Sequence, residues 1–279
     1  MKQGLAIWHY PHRTVAENVA FFADRGYESL SILGRELNAI CSIEEEAEHL
    51  AHLVSEKGII LTVHHRMPAN HEPETVDAFY RDMDQIGRWQ ERFGVISILS
   101  FDAMVRERVD TYINYVTDHV PNVTVAMEDF GLNEAEREQL TRLKAPERFS
   151  YLVDVGHMFI RMCNGYQGGA TIFKNAPDEC PPVEDPVGED FLRAFRSKER
   201  GICEIHLHNN NGEKDMHSFL EEGRIRMDAV AYALKAIGYE GIVTVESVPG
   251  KAYSGRRSES DTRILETTAY WQNILREAH

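Results

Sequence analysis

Carboxylates and histidines recur at the ends of β-rich runs in the second half of the chain. They are Glu128 in VAMEDF, Asp154 and His157 in YLVDVGHM, His206 and His208 in EIHLH, and Glu246 in VTVES. Carboxylate oxygens combined with imidazole nitrogens bind hard or borderline divalent cations. Three carboxylates crowded together would repel one another unless a proton or a cation neutralised them. The pattern therefore predicts a divalent metal site, with Mn, Zn, Mg or Co as candidates.

The alternation of side chains along a strand indicates which of these groups share a face. In VTVAME, the apolar Val125 and Met127 form one face, which leaves Glu128 on the other. The same rule directs further side chains inward, namely Thr62 and His64 on the third strand, Asp154 on the sixth, Glu204, His206 and His208 on the seventh, and Thr244 and Glu246 on the eighth. In a parallel barrel such residues converge at the C-terminal mouth, where barrel enzymes keep their active sites.

The elements that would position these groups alternate between β-rich runs and amphipathic stretches, which is typical of repeated βα units. The strand predictions are Leu5–His9, Ser29–Leu33, Ile59–His64, Val95–Ser100, Val123–Glu128, Tyr151–Asp154, Ile202–His208 and Ile242–Glu246. The helix predictions are Ser42–Lys57, Pro73–Arg92, Met104–Val120, Asn133–Leu143, Met227–Ile237 and Asp261–Ala278. For a chain of 279 residues, we expect one α/β domain, a (β/α)8 TIM barrel.

One connection interrupts this rhythm. Residues 163–190, after the sixth strand, are rich in Gly, Pro and acidic residues and are too long for a simple turn. They are predicted to be an insertion, which either forms an ordered lid or subunit contact or is a mobile surface segment.

Composition limits the classes of partner. The net charge of −15, without a basic stripe, argues against a nucleic-acid ligand. The acidic excess either solubilises the surface or collects cations in a cleft. The four cysteines form no CxxC pair, and the N-terminus has no signal-type apolar core, so we expect a cytoplasmic protein with free thiols and no membrane partner.

A second polar motif follows the seventh strand. In HLHNNNGEKDMHSF, Asp215 and His217 form a D-x-H pair. The loop either folds back over the mouth or is an ordinary polar turn, because Asn209 to Gly212 is strong turn chemistry in any protein.

The order of these motifs resembles the xylose isomerase-like TIM barrel superfamily. That superfamily includes sugar phosphate isomerases and epimerases, ketose 3-epimerases and inosose dehydratases and, more distantly, endonuclease IV. The resemblance implies four metal ligands, Glu128, Asp154, His208 and Glu246. It also implies that His157 is an adjacent substrate or supporting histidine, while His206 could exchange roles with His208, and His64 is similar to a histidine at the third strand of many relatives.

The resemblance implies a metal-dependent isomerase or epimerase that acts on a small sugar or sugar phosphate through an enediolate-type intermediate. Glu128 and Glu246 would remove and return a proton, next to His157. Lys251, Arg256 and Arg257 lie where barrels often bind phosphate, or else they are merely solvated. The expected partner is a small carbohydrate. Assembly of identical chains into a homo-oligomer is a further possibility that the sequence leaves undecided.

Three alternatives remain from the sequence. An endonuclease IV-like phosphodiesterase would use a similar residue series, but Ser100 stands where those nucleases place a further histidine. A sugar or inosose dehydratase would need almost the same ligands. A barrel kept as a binding module would not need four convergent ligands.

Overall fold

Eight parallel strands, paired in chain order, close into a barrel in the computed structural model. The structure describes residues 1–10, 12–68, 70–102, 108–128, 138–164, 183–198, 201–248 and 257–277. The strands are β1 (Lys2–Ala6), β2 (Ser29–Leu33), β3 (Ile60–Arg66), β4 (Ile96–Asp102), β5 (Thr124–Glu128), β6 (Phe149–Asp154), β7 (Ile202–Leu207) and β8 (Ile242–Val245). This architecture confirms the predicted (β/α)8 TIM barrel.

Helices connect the strands. They are α1 (Val15–Ala23), α2 (Gly34–Cys41), α3 (Glu44–Lys57), α4 (Pro73–Phe93), α5 (Val109–His119), α6 (Val155–Asn164), α7 (Gly188–Arg196), α8 (Met227–Ala236) and α9 (Arg257–Glu277). Their ends follow local sequence signals. Thr14 and Glu17 form a capping box at the start of α1, with hydrogen bonds of 2.8 and 3.2 Å. α4 begins at Pro73, and the residue that caps its C-terminus is Gly94, whose backbone is in the left-handed conformation.

The described residues group into two compact units, residues 2–152 and residues 153–279 with Met1. In the first unit, the β3–β4 register sets His64 opposite Ser100. In the second unit, the β7–β8 register sets His206 opposite Thr244. Inward polar residues of neighbouring strands therefore lie side by side within each unit.

The first strand prediction, Leu5–His9, is wrong at its boundaries. β1 covers Lys2–Ala6, and Ile7–His9 forms a short 3₁₀ helix that is closed by a hydrogen bond from the Tyr10 N–H to the Ile7 carbonyl. The ring of Trp8 stacks on the imidazole of His64, with 5.9 Å between ring centroids. An apolar run of this length predicts burial, but it does not distinguish a strand from a short helical turn.

The region after β6 also differs from the prediction, because α6 begins directly after Asp154. Of the predicted insertion at 163–190, residues 165–182 lie outside the described residues, and Gly188 begins α7. The insertion and the single-domain organisation stay predictions. The predicted helices 104–120 and 133–143 fall partly outside the described residues.

Two findings bear on the expectations drawn from composition. Within the described residues, Cys41, Cys163 and Cys203 form no disulfide, whereas Cys180 lies outside them. Within the described ranges, every helix is too short or too polar to cross a lipid bilayer.

The close approach of α4 to the end of α5 generates a stability prediction. A Cβ added at Gly87 would lie 2.1 Å from the carbonyl oxygen of His119, which is a backbone atom. Gly87→Ala should therefore lower the free energy of unfolding by about 1–3 kcal/mol, because the two helices must separate. Urea unfolding measures this loss. Arg88→Ala, at an exposed position in the same helical turn, should change stability by less than about 0.5 kcal/mol. Equal stability of the two variants would contradict the packing argument.

Candidate metal centre

The inward faces of β7 and β8 carry a chain of buried polar side chains. Thr244 Oγ1 donates a hydrogen bond to Glu204 Oε1 at 2.6 Å. The same carboxylate oxygen lies 3.6 Å from His206 Nε2, and His206 Nδ1 lies 2.9 Å from Glu246 Oε2. The exposed fractions of Glu204 and His206 are 0% and 1%. These contacts confirm that the alternation on both strands directs these residues to one face.

Asp154 ends β6 and caps the helix that follows it. Its Oδ1 accepts a hydrogen bond of 2.7 Å from the backbone N–H of His157, the geometry of an N-cap. His208 Nε2 lies 3.1 Å from the same oxygen. A Cβ at Gly156 would lie 2.0–2.5 Å from three atoms of the His208 ring, so only glycine leaves room for this imidazole. The local sequence Asp154-Val-Gly-His157 thus brings a carboxylate and two imidazoles together.

The loop after β7 folds back, as one of the two interpretations of the D-x-H motif predicts. Asn209 and Ser218 form an antiparallel bridge with hydrogen bonds of 3.0 and 2.9 Å. His217 Nε2 lies 3.1 Å from Asp215 Oδ2, and its ring stacks on that of His208 at 4.0 Å between centroids. His157 Nε2 lies 3.2 Å from the same Asp215 oxygen. Asp215 Oδ2 is therefore shared by two histidines, while Asp215 Oδ1 lies 3.6 Å from His208 Nε2.

The backbone at His217 has a φ of +48°, which lies in the left-handed region that non-glycine residues seldom adopt. Hydrogen bonds hold it there. His217 Nδ1 lies 3.0 Å from the Glu246 carbonyl oxygen, and the Val248 N–H donates to the His217 carbonyl at 2.8 Å. Such conformations persist where the surroundings fix them, and they cluster at functional sites.

Two groups within residues 153–279 could hold a cation. In each group, the nearest donor atoms lie within 4.8 Å of one another. The first comprises Asp154, His206 and Glu246, and the second comprises His157, His208, Asp215 and His217. Both mix carboxylate oxygens with imidazole nitrogens, the donor set that borderline divalent cations accept.

The hydrogen bonding of Asp154 and His208 is compatible with a bound divalent cation. Asp154 Oδ2 and His208 Nδ1 are buried and make no hydrogen bond within the described part of the chain. Buried polar atoms are nearly always satisfied by a partner, and a cation is a partner that carboxylate oxygens and imidazole nitrogens both accept.

Electrostatics keep the buried carboxylates ionised. Burial by itself would raise the pKa of Asp154, but the imidazoles of His157 and His208 outweigh burial and hold this pKa well below its usual range. Burial opposes ionisation of Glu246 as well, whereas His217 helps to lower the pKa of Glu246 to about 2. Both carboxylates are therefore anionic at neutral pH.

The pKa values of the histidines shift in the opposite direction, upward. Burial would lower the pKa of His206, but the Glu246 and Glu204 carboxylates raise it well above its usual value. Burial also opposes protonation of His217, whereas Glu246 and Asp215 raise its pKa to about 9. In the absence of a cation, protons on these imidazoles thus balance the carboxylates.

Glu128 and His64 lie in the unit formed by residues 2–152. Glu128 ends β5 and is 4% exposed, and its Oε2 lies 3.6 Å from His64 Nε2. His64 Nδ1 lies 3.0 Å from Ser100 Oγ. The inward orientation that alternation predicts for Glu128 and His64 is confirmed by these contacts. Lys251 and Arg256 lie outside the described residues, as does the side chain of Arg257.

Sequence reasoning placed Glu204 on the inward face but gave it no function. It overlooked Asn210, whose side-chain amide donates to the Gly156 carbonyl at 3.0 Å and whose Oδ1 accepts from the Gly212 N–H at 2.8 Å. The run NNN indicates a turn, and its burial follows only from the folded loop. The alternation signal was sufficient to find Glu204.

A family model described as xylose isomerase-like TIM barrel matches residues 19–268. The chain belongs to this family, which confirms the resemblance inferred from the motifs. An uncharacterized protein of Methanocaldococcus jannaschii is 36% identical over 58 residues, which are 21% of this chain. The match covers 20% of that relative's length.

Solved structures of similar proteins share the fold over nearly the whole chain. D-psicose 3-epimerase from Clostridium cellulolyticum H10, solved with D-tagatose, has a TM-score of 0.68 at 15% identity, with 99% of each chain covered. The IolI protein with a bound zinc atom has a TM-score of 0.70 at 14% identity, covering 100% of this chain and 99% of that one. D-allulose 3-epimerase from Methylomonas sp. has a TM-score of 0.64 at 14% identity, covering 97% and 98%.

The raised pKa of His217 predicts how the stability of the metal-free protein depends on pH. Because its folded pKa of about 9 exceeds the ordinary 6.5, its stabilising effect is complete below pH 6.5. This effect, a few kcal/mol, is lost as the pH rises to 9. Urea unfolding of chelator-treated protein at several pH values measures it. His217→Gln should show a shallower loss over the same range, and an unchanged slope in that variant would contradict the assignment.

Proposed function

We propose that this protein is a divalent-metal-dependent isomerase or epimerase that acts on a small sugar or sugar phosphate. The observation that carries the proposal is the buried group of Asp154, His206 and Glu246, with His208 Nε2 3.1 Å from Asp154 Oδ1. The epimerases and the zinc-bound IolI protein among the structural neighbours support this class.

The proposed ligands are Glu128, Asp154, His208 and Glu246. His208 is preferred to His206 because it directly follows the last residue of β7, and because His206 Nδ1 is already 2.9 Å from Glu246 Oε2. His208 Nδ1 makes no hydrogen bond within the described residues. Glu128 ends β5, and the carboxyl ends of barrel strands are where such enzymes build their sites.

A bound divalent cation would supply Lewis-acid stabilisation of the negative charge that develops on the oxygens of a ketose or aldose. Glu246 is anionic at neutral pH and can accept a proton from a substrate carbon, and Glu128 would return one on the other side. His157, whose Nε2 faces Asp215, would orient a substrate oxygen. The proposed steps give an enediolate-type intermediate.

The substrate class is part of the proposal. A small carbohydrate fits the epimerase neighbours, and its phosphorylation depends on Lys251 and Arg256, whose contribution stays a prediction. A cytoplasmic location, a homo-oligomeric state and the absence of a nucleic-acid partner likewise stay predictions. Dehydration of a sugar or inosose by the same residues is separated from epimerisation by product analysis.

A second candidate function, an endonuclease IV-like phosphodiesterase, is favoured by the group formed by His157, His208, Asp215 and His217. The net charge of −15 and the contact of Ser100 with His64 count against it. We expect no cleavage of an abasic-site duplex by the zinc-loaded protein, measured on a denaturing gel. Cleavage that is lost in Asp215→Asn would favour the nuclease instead.

The acid–base function assigned to Glu246 is tested by proton exchange. In deuterated water with added Mn²⁺, wild-type protein should incorporate deuterium at the substrate carbon next to the carbonyl, monitored by NMR with D-psicose and related ketoses. Glu246→Gln should slow this exchange by at least about 100-fold, because the amide cannot accept the proton. Glu240→Gln, the same change at an exposed position after α8, should exchange at the wild-type rate. Wild-type exchange in Glu246→Gln would end the proposed mechanism.

A further inference from the structure

The proposed mechanism leaves Glu204 without a function, although it is fully buried on the inward face of β7. Removing a carboxylate from water is costly unless charged and hydrogen-bonding neighbours compensate, and an apolar side chain at the same place would avoid the cost. The surroundings of Glu204 therefore require an explanation.

The contacts of Glu204 lead toward the proposed metal site. Thr244 donates to its Oε1 at 2.6 Å, and His206 Nε2 lies 3.6 Å from the same oxygen. The other nitrogen of that imidazole, Nδ1, lies 2.9 Å from Glu246 Oε2. One imidazole ring thus connects Glu204 to a proposed metal ligand and base.

We propose that Glu204 is a positioning residue that acts through His206 to orient the Glu246 carboxylate for the cation and the substrate. This inference rests on the proposed function. Glu204 Oε1 lies at an ion-pair distance of 3.6 Å from Nε2 on one side of the His206 ring, and its negative charge holds the ring so that Nδ1, at 2.9 Å, stays directed at Glu246 Oε2. The second oxygen, Glu246 Oε1, lies 3.7 Å from His217 Nδ1 and is the one left to face a ligand.

The competing explanation is that Glu204 only fastens β7 to β8 through Thr244. Glu204→Gln separates the two explanations, because glutamine keeps an acceptor oxygen for the hydrogen bond from Thr244 but removes the negative charge on which the 3.6 Å contact with His206 depends. Glu204→Leu is a second variant. It removes one partner of a buried ion pair, so it should unfold at a lower temperature than wild type and share the functional loss of Glu204→Gln.

The first measurement needs no metal. Crystal structures of the metal-free wild-type protein and of Glu204→Gln should differ in the rotation of the His206 ring. The distance from His206 Nδ1 to Glu246 Oε2 should increase beyond hydrogen-bonding range in the variant, about 3.5 Å. The same contact and the same carboxylate orientation in both structures would overturn the proposal for Glu204.

The second measurement is a Co²⁺ titration that follows the visible absorption spectrum. Both Glu204 variants should bind Co²⁺ at least about 10-fold more weakly than wild type, with an altered spectrum, as is typical when a partner of a metal ligand is removed. In the epimerisation assay, kcat should fall about 10-fold while KM changes little. Wild-type affinity and spectrum in both variants would overturn the positioning function.

The matched control is Thr268→Val, which removes a buried threonine hydroxyl that donates to the Ile264 carbonyl within α9. It should leave the Co²⁺ affinity and kcat unchanged. Wild-type protein that takes up no Co²⁺ would overturn the proposed metal site, whereas an unmoved Glu246 in the Glu204→Gln crystal would overturn the positioning proposal alone. The two failures are therefore distinguishable.

Discussion

Charge compensation among buried side chains is the constraint on which the site depends. Asp154, Glu204 and Glu246 are buried among histidines, where an unpaired carboxylate would cost several kcal/mol. Each carboxylate faces at least one imidazole, and the pKa values of Asp154 and Glu246 fall while that of His206 rises. A balance kept by protons on imidazoles can also be kept by a divalent cation, which displaces those protons. The charges of the cluster are thus balanced by its own histidines, and its donor set is one that a divalent cation accepts.

The geometry of the backbone positions the charged side chains of the site. Asp154 lies where β6 ends and α6 begins, so one carboxylate oxygen caps the helix and the other stays available. Gly156 leaves space for the His208 ring, and the Asn209–Ser218 bridge returns the loop after β7 to the strand ends. The backbone of His217, whose φ lies in the left-handed region, is the strained point of this arrangement. Hydrogen bonds to residues at the end of β8 hold it in place.

Much of the fold and the site followed from the sequence, because strand alternation is a local property. The inward faces of β7 and β8 could be predicted since each polar residue is separated from the next by one apolar residue. The helix after Asp154 was missed because a capping carboxylate at a strand end resembles a site residue in sequence. The limits of β1 were misplaced because Ile7 and Trp8 favour strand and helix alike. The function of Glu204 depends on the rotation of His206, which only coordinates define.

The most direct test of the central claim is anomalous diffraction from crystals of the full chain soaked in Mn²⁺. The data are recorded at an X-ray wavelength at which manganese has a strong anomalous signal. The account predicts a peak coordinated by Glu128, Asp154, His208 and Glu246. Crystals that bind no Mn²⁺ at these four side chains, or that show the four groups too far apart to share one ion, would contradict it.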